Sequence, residues 1–240
     1  MCAYISRVQS KTVTTRLSSD DRRKLILRAA LNVFAEAGFH GTTTKALAKA
    51  AGVSEALIFR HFPSKDKLYA ALQEACCEMK SNDESARVMN LEPSTSTLVI
   101  MVHFVMAKML RSSRETDVVE HELYRMMVNS FMEDGQFARQ FMQHVADDLI
   151  AKLEASVKAA EKAGDLVDSP VRPNLRAWFV EHLASMLMLN QISGKPIVDF
   201  KQSKADQIEQ ATWFALLGIG LKPEAIRRNY NPKALALFTA

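Results

Sequence analysis

The sequence predicts an all-α protein: a small N-terminal three-helix head carrying a helix-turn-helix, followed by a larger helical body. Three observations carry this. Gly and Pro are scarce, 8 and 7 in 240 residues, which favours helices joined by short connections. Apolar residues recur at helical spacing along most of the chain. The stretch TTTKALAKAAGVSEALIFRHFPSKDK, residues 42–67, reads as two short helices around a tight turn with a third starting at once behind them.

In chain order, residues 1–18 lack periodicity and hold three basic residues and no acid. They read as a disordered basic leader, or as an arm for a DNA minor groove. Ser18 or Ser19 caps the first helix, where Asp20 and Asp21 favour the positive end of its dipole. Ile26, Ala30, Val33, Phe34 and Ala37 form its apolar stripe, Gly38 ends it, and Phe39 is expected beneath the head. Thr43 or Thr44 caps the second helix, with Leu47, Ala48 and Ala51 on one face. Gly52 can take the left-handed conformation of a helix C-terminus, Val53 plugs the turn, and Ser54 caps a third helix with Leu57 and Ile58. Ser64, after Pro63, caps the fourth, whose stripe is Leu68, Ala71, Leu72, Ala75 and Met79.

Beyond it, Ser81 to Ser96 is polar and reads as a loop or a frayed helix end. Leu98 to Met106 is apolar except for His103, too short for a bilayer and so a buried helix. Thr116 to Phe131 is helical. Asp134 caps a long helix to Gly164, and Asp165 to Pro173 is a connector. The segments from Asn174 to Ile192 and from Lys204 to Leu217 are apolar on nearly every side and must bury two faces each. One face can meet its own core, and the other calls for a second copy of the chain, giving a four-helix bundle between protomers. Trp178, His182, Met186, Leu189, Trp213 and Leu216 are the candidates for that contact. A short helix and a loose end are expected beyond Pro223.

Charge is unevenly divided. Up to Lys65 there are eleven basic residues against four acids, while the remainder has 20 against 23. A basic head on a slightly acidic body is the footprint of a DNA-reading module. The three cysteines, Cys2, Cys76 and Cys77, have no framework spacing and fit reduced thiols in a cytoplasmic protein. The adjacent pair is read as small buried apolar residues rather than a redox sensor. No signal-peptide pattern and no membrane-length apolar stretch is present, so no membrane partner is expected.

Catalysis is not expected. The sequence has no glycine-rich phosphate loop, no nucleophile elbow and no Cys–His pairing near a plausible nucleophile. His103, His121, His144 and His182 are scattered without metal-ligand spacing, so no metal and no cofactor is expected. At the DNA, Lys45, Arg60 and Lys65 can neutralise phosphates, and Thr43, Thr44, Ser54 and His61 can donate to phosphate oxygens. Ser54, Glu55, Ala56 and Leu57 open the recognition helix. Glu55 either accepts from a cytosine amino group or is a solvated helix-start acid, and Ala56 or Leu57 can touch a thymine methyl.

Thr43-Thr44, Ala48, Ala51-Gly52-Val53-Ser54, Ile58-Phe59-Arg60-His61-Phe62 and Ser64-Lys65 leading into Leu68 resemble the TetR family of bacterial transcriptional regulators, closely over about residues 22–72. One departure is Phe59, where the family usually has Tyr. The resemblance implies that Thr44, Lys45, Ser54, Ala56, Phe59, Arg60 and His61 approach double-stranded DNA, and that a homodimer forms through the last two long helices. It implies the division 19–66 for the DNA-binding domain, 67–225 for effector binding and dimerisation, and 226–240 for a tail. A small apolar effector is then expected to shift the fourth helix and release a roughly palindromic operator. The body holds nine of the 12 methionines in one cluster, Met101, Met106, Met109, Met126, Met127, Met132, Met142, Met186 and Met188, fitting either core filler or a pliable pocket. Leu72, Cys76, Phe104, Met126, Phe131 and Phe179 are the expected pocket wall. The rivals are a ligand-free nucleoid or division factor and a regulator that its effector activates.

Overall fold

The computed structural model describes residues 18–77, 83–111 and 118–236, with the side chains of Cys76, Cys77, Asp83, Glu84, Lys233 and Ala236 not included. The leader, Cys2 and the cysteine pair's thiols therefore lie outside the described residues. Among those described there is no named strand. The elements are α1 Ser19–Gly41, α2 Thr44–Ala51, α3 Glu55–His61, α4 Lys65–Cys77, α5 Asp83–Met89, α6 Thr95–Arg111, α7 Val118–Met132 and α8 Gln136–Val145. They continue with α9 Ala151–Lys162, α10 Pro173–Leu189, α11 Lys204–Ile219, α12 Pro223–Asn229 and α13 Pro232–Ala236. The chain divides into two compact units.

The first unit holds α1 to α4 together with α7 and most of α8. Its boundary therefore differs from the expected domain edge after residue 66. The α1–α7 contact is the most extensive between any two helices. Ile26, Ala30, Leu31 and Phe34 of α1 are fully buried, with Leu47 of α2, Leu68 and Leu72 of α4 and Phe137 of α8. Phe39, half-buried, stacks towards Phe34 and Tyr69. Gly38, at φ 69°, breaks α1 at the expected stop, and a last irregular turn carries the chain to Gly41.

The second unit holds α5, α6 and α9 to α13. α6 is its central helix: α9, α10, α11, α12 and α13 all pack on it. Leu98, Val99, Met101, Val102 and Met106 are buried accordingly. A short antiparallel bridge, Leu166 to Leu221, closes the connectors after α9 and α11 against each other. Arg176, buried, donates to the carbonyls of Ser169, Val171 and Ile219, which satisfies backbone acceptors that the bends would otherwise leave without partners.

Three expectations need correction. The polar stretch from Ser81 to Ser96 contains α5 instead of only a loop, and its Val88 is buried. The long helix from Asp134 to Gly164 changes its hydrogen bonding to the π pattern over Ala146–Ile150, between α8 and α9. After Pro223 the expected short helix is present as α12, but a second short helix, α13, whose Leu235 is buried, follows it directly instead of a loose end.

Candidate nucleic-acid interface

The local chemistry of α2 and α3 sets the interface. Thr43 Oγ1 accepts from the Ala46 N–H at 3.2 Å and Ser54 Oγ from the Leu57 N–H at 3.2 Å, so each helix starts at a side-chain cap. Gly52 ends α2 in the left-handed region at φ 63°. The Val53 N–H closes the turn onto the Ala48 carbonyl at 3.1 Å, the six-to-one bond of a Schellman motif. Ala48 and Ala51 are buried, and small residues there let α2 lie close to its neighbours. Ile58 and Phe62 anchor α3 from beneath, and the Arg23 guanidinium of α1 lies 4.4 Å from the Phe62 ring centre.

With the apolar side so fixed, the other side of α3 is presented to solvent. Ser54, Glu55, Ala56, Phe59 and Arg60 are exposed, and Leu57 and His61 are half-buried. Phe59 is 44% exposed, a large apolar ring with nothing of its own chain covering nearly half of it. At the start of α2, Thr43 and Lys45 are exposed and Thr44 is half-buried. Thr43, Thr44 and Lys45 open α2 and Ser54, Glu55, Ala56 and Leu57 open α3, the helix ends whose dipoles favour anions, while Phe59, Arg60 and His61 lie in the last turn of α3.

Lys65 departs from this pattern. Its ammonium donates to the Phe39 carbonyl at 2.8 Å and the Thr42 carbonyl at 3.1 Å and stands 4.3 Å from the centre of the Phe39 ring. It is tied into the head before it meets any phosphate. No local pattern signals this, because the partners are backbone atoms more than twenty residues upstream. Also unforeseen are Asn129 and Glu133 from α7 and the turn after it. Asn129 Nδ2 donates to the Ala35 carbonyl at 3.0 Å, and the Glu133 carboxylate accepts from the N–H groups of Phe39 and His40, each at 3.3 Å.

The remaining predicted residues are divided between the two units. Leu72 and Met126 are buried in the first unit and Phe104 in the second. Phe131 and Phe179, expected in a pocket wall, are each 60% exposed, because they sit on the outer sides of α7 and α10. A polar cleft of about 290 Å³ in the first unit is lined by residues including Phe39, Lys67, Tyr69, Gln73 and Asp134; Leu72 and Met126 are not among them. In the second unit, Phe179 joins Leu175 and Met186 in an exposed stripe on α10, with His182 between them, and Phe214 and Leu217 extend an exposed stripe on α11. Trp178, Leu189 and Trp213 are half-buried beside these stripes. Leu216, expected at a dimer contact, is fully buried in its own unit: α11 turns the neighbouring phase outwards, with Phe214 68% exposed.

Among the described residues no group of three or more metal-ligating side chains converges, and no helix is long and apolar enough to cross a membrane. Residues 26–72 match the family model described as bacterial regulatory proteins, tetR family. The chain is 47% identical over 51 residues to the HTH-type transcriptional regulator RutR of Escherichia coli (strain K12), covering 21% of this chain and 24% of that protein, so this likeness spans about a quarter of RutR. It is 30% identical over 173 residues to the HTH-type transcriptional repressor AcnR of Corynebacterium efficiens, covering 62% of this chain and 92% of that one. The fold is similar to that of AibR in a crystal structure with isovaleryl coenzyme A and operator DNA, with TM-score 0.60 and 16% identity over 80% of this chain and 97% of that chain. The matched segment covers the capped α2, the Gly52 turn and the exposed α3 described above, and the likeness to AcnR extends well into the body: the chain belongs to the TetR family of bacterial regulatory proteins.

Proposed function

We propose that the protein is a homodimeric, sequence-specific DNA-binding transcriptional regulator, a repressor that a small apolar effector releases from a palindromic operator. The observation that carries the DNA reading is the α2–α3 surface. Two side-chain-capped helix starts and the exposed residues Ser54, Glu55, Ala56, Phe59 and Arg60 stand on a closely packed three-helix base. Lys45 and Arg60 supply phosphate neutralisation, and Thr43, Thr44, Ser54 and His61 supply donors. Glu55, Ala56 and Leu57 enter the groove first, and Phe59 offers a ring to sugar or thymine methyl where a hydroxyl would otherwise reach a phosphate.

One such head has little area for tight binding, so two must act together. The exposed apolar stripes of α10 and α11 support the dimer, since these helices pack on each other and leave Phe179, Met186 and Phe214 open to solvent. Effector binding in the body is supported by the adaptable residues of α6 and α10, two helices that pack on each other and bury Met101, Phe104, Met106 and Met188. Two relatives point the same way: AibR was crystallised in complex with both isovaleryl coenzyme A and operator DNA, and AcnR is named a repressor. The effector must bind the DNA-incompetent state more tightly, and DNA must weaken effector binding by the same factor.

Selection of sites from random duplex DNA with the purified protein at physiological salt tests this reading. The expected result is an inverted repeat with half-sites about 34–36 Å apart. Recovery of no enriched sequence, with or without added acyl thioesters, overturns it.

A further inference from the structure

The irregular turn from Gly38 to Thr42 joins α1 to α2, and its peptide groups are gripped from two sides. Once Gly38 leaves the helical conformation at φ 69° and ψ 178°, the N–H groups of Phe39 and His40 have no carbonyl one turn back to bond. The Glu133 carboxylate takes both, one oxygen each, at 3.3 Å. On the carbonyl side, the Lys65 ammonium takes Phe39 and Thr42. Thr42 Oγ1 closes the turn by donating to the Gly38 carbonyl at 2.7 Å. An anion on the donors and a cation on the acceptors of the same few peptides hold that turn in one conformation.

Glu133 is itself fixed. It lies in the turn between α7 and α8, whose Glu133 and Gly135 N–H groups both donate to the Ser130 carbonyl, and where Ser130 Oγ accepts from the Ala138 N–H at 3.1 Å. Four residues earlier, Asn129 holds the Ala35 carbonyl of α1. Gly38 suits this grip twice over: its positive φ strains any other residue, and a Cβ there would push the Glu133 carboxylate away from the Phe39 and His40 N–H groups.

We infer that Glu133 is a positioning residue for DNA recognition. Its carboxylate sets the corner from which α2 and α3 are suspended, although it lies 94 residues along the chain from Phe39 and outside the helix-turn-helix. Thr43 and Thr44 follow this corner directly, so an angular change at Phe39 and His40 displaces both helix starts that face the groove. Any movement of the α7–α8 turn reaches the DNA-reading surface through these two hydrogen bonds.

The inference rests on the operator-binding reading, and the test separates the two. Glu133→Ala and Glu133→Gln are compared with the wild type on the selected duplex, on an unrelated duplex of equal length, and by amide hydrogen exchange. Glu133→Ala is expected to lower affinity for the selected duplex at least tenfold while affinity for the unrelated duplex changes less than twofold. Glu133→Gln, which keeps one acceptor oxygen and is the milder change if the Ala variant folds poorly, is expected to fall between. Exchange at Phe39 and His40 should accelerate and dimer content stay constant. A role in stability alone would shift the melting temperature and leave the ratio of the two affinities unchanged, and that result overturns the inference. If the wild type selects no sequence, the operator reading fails. The inference is then decided by exchange in α2 and α3, where protection equal to wild type in Glu133→Ala overturns it.

Discussion

Arg60 and Lys65 carry the same charge on either side of one turn, and the protein uses them differently. Arg60 is exposed at the end of α3, whereas the Lys65 ammonium is held by two carbonyls. Arg60→Ala is therefore expected to weaken binding to every duplex and to reduce the slope of log affinity against log salt by about 1 per head. Lys65→Ala is expected to lower stability by roughly 1–2 kcal/mol and leave that slope nearly unchanged. Salt titrations and urea unfolding of both variants check the contrast. His103 offers a second residue-scale prediction. Burial in the second unit, reinforced by the charge of Arg111, pushes it down from 6.5 to about 4, and its Nδ1 lies 3.3 Å from the Tyr230 hydroxyl. The folded protein then holds this imidazole neutral while the unfolded chain protonates it. Stability is full above pH 6.5 and is lost as the pH falls towards 4. Allowing for screening, the loss from this group is about 2 kcal/mol. Urea midpoints at pH 7 and pH 4 should lie closer together in His103→Phe than in the wild type.

At the scale of the element, the helix boundaries that carry side-chain caps were legible in the sequence, because a cap is a local event. Ser18, Thr43, Ser54, Ser64 and Asp134 each precede a helix and accept an N–H two or three residues on, whereas the pattern does not point to the caps at Ser94 and Ser203. The rotational phase of α10 and α11 was not legible. Both are apolar on nearly every side, so periodicity assigns no inner face. Leu216 and Phe214 look alike in sequence, yet Leu216 is fully buried and Phe214 faces solvent. The two positions give opposite outcomes on substitution. Phe214→Glu should yield a folded monomer with native helix content, whereas Leu216→Glu should destabilise the subunit by several kcal/mol, since it places a charge in the core. Sedimentation and circular dichroism distinguish them. A dimeric Phe214→Glu protein would remove α11 from the proposed interface. The exposure of Phe131 and Phe179 was hidden for a similar reason: residue type does not say which way a ring points.

For the whole molecule, charge and the 42–67 motif point to a head and a body, but no local pattern points to the helices that pack into the first compact unit from far along the chain. The pattern ends a domain where the motif ends. The structure instead completes the first unit with α7 and most of α8, through Asn129, Glu133 and Phe137, none of which has a local signature. The unit is therefore assembled from two stretches of chain with α5 and α6 between them. This matters during synthesis. A ribosome makes α1 and the helix-turn-helix first, yet the helix that covers α1 most extensively follows only at Val118, and the carboxylate that fixes its corner is translated 94 residues after Phe39. At roughly 5–20 residues per second the nascent head waits several seconds with the α7-facing side of α1 bare. The basic segment thus gains this support only after α5 and α6 have been translated, so a chain truncated before α7 would display the recognition residues without the contacts that align them.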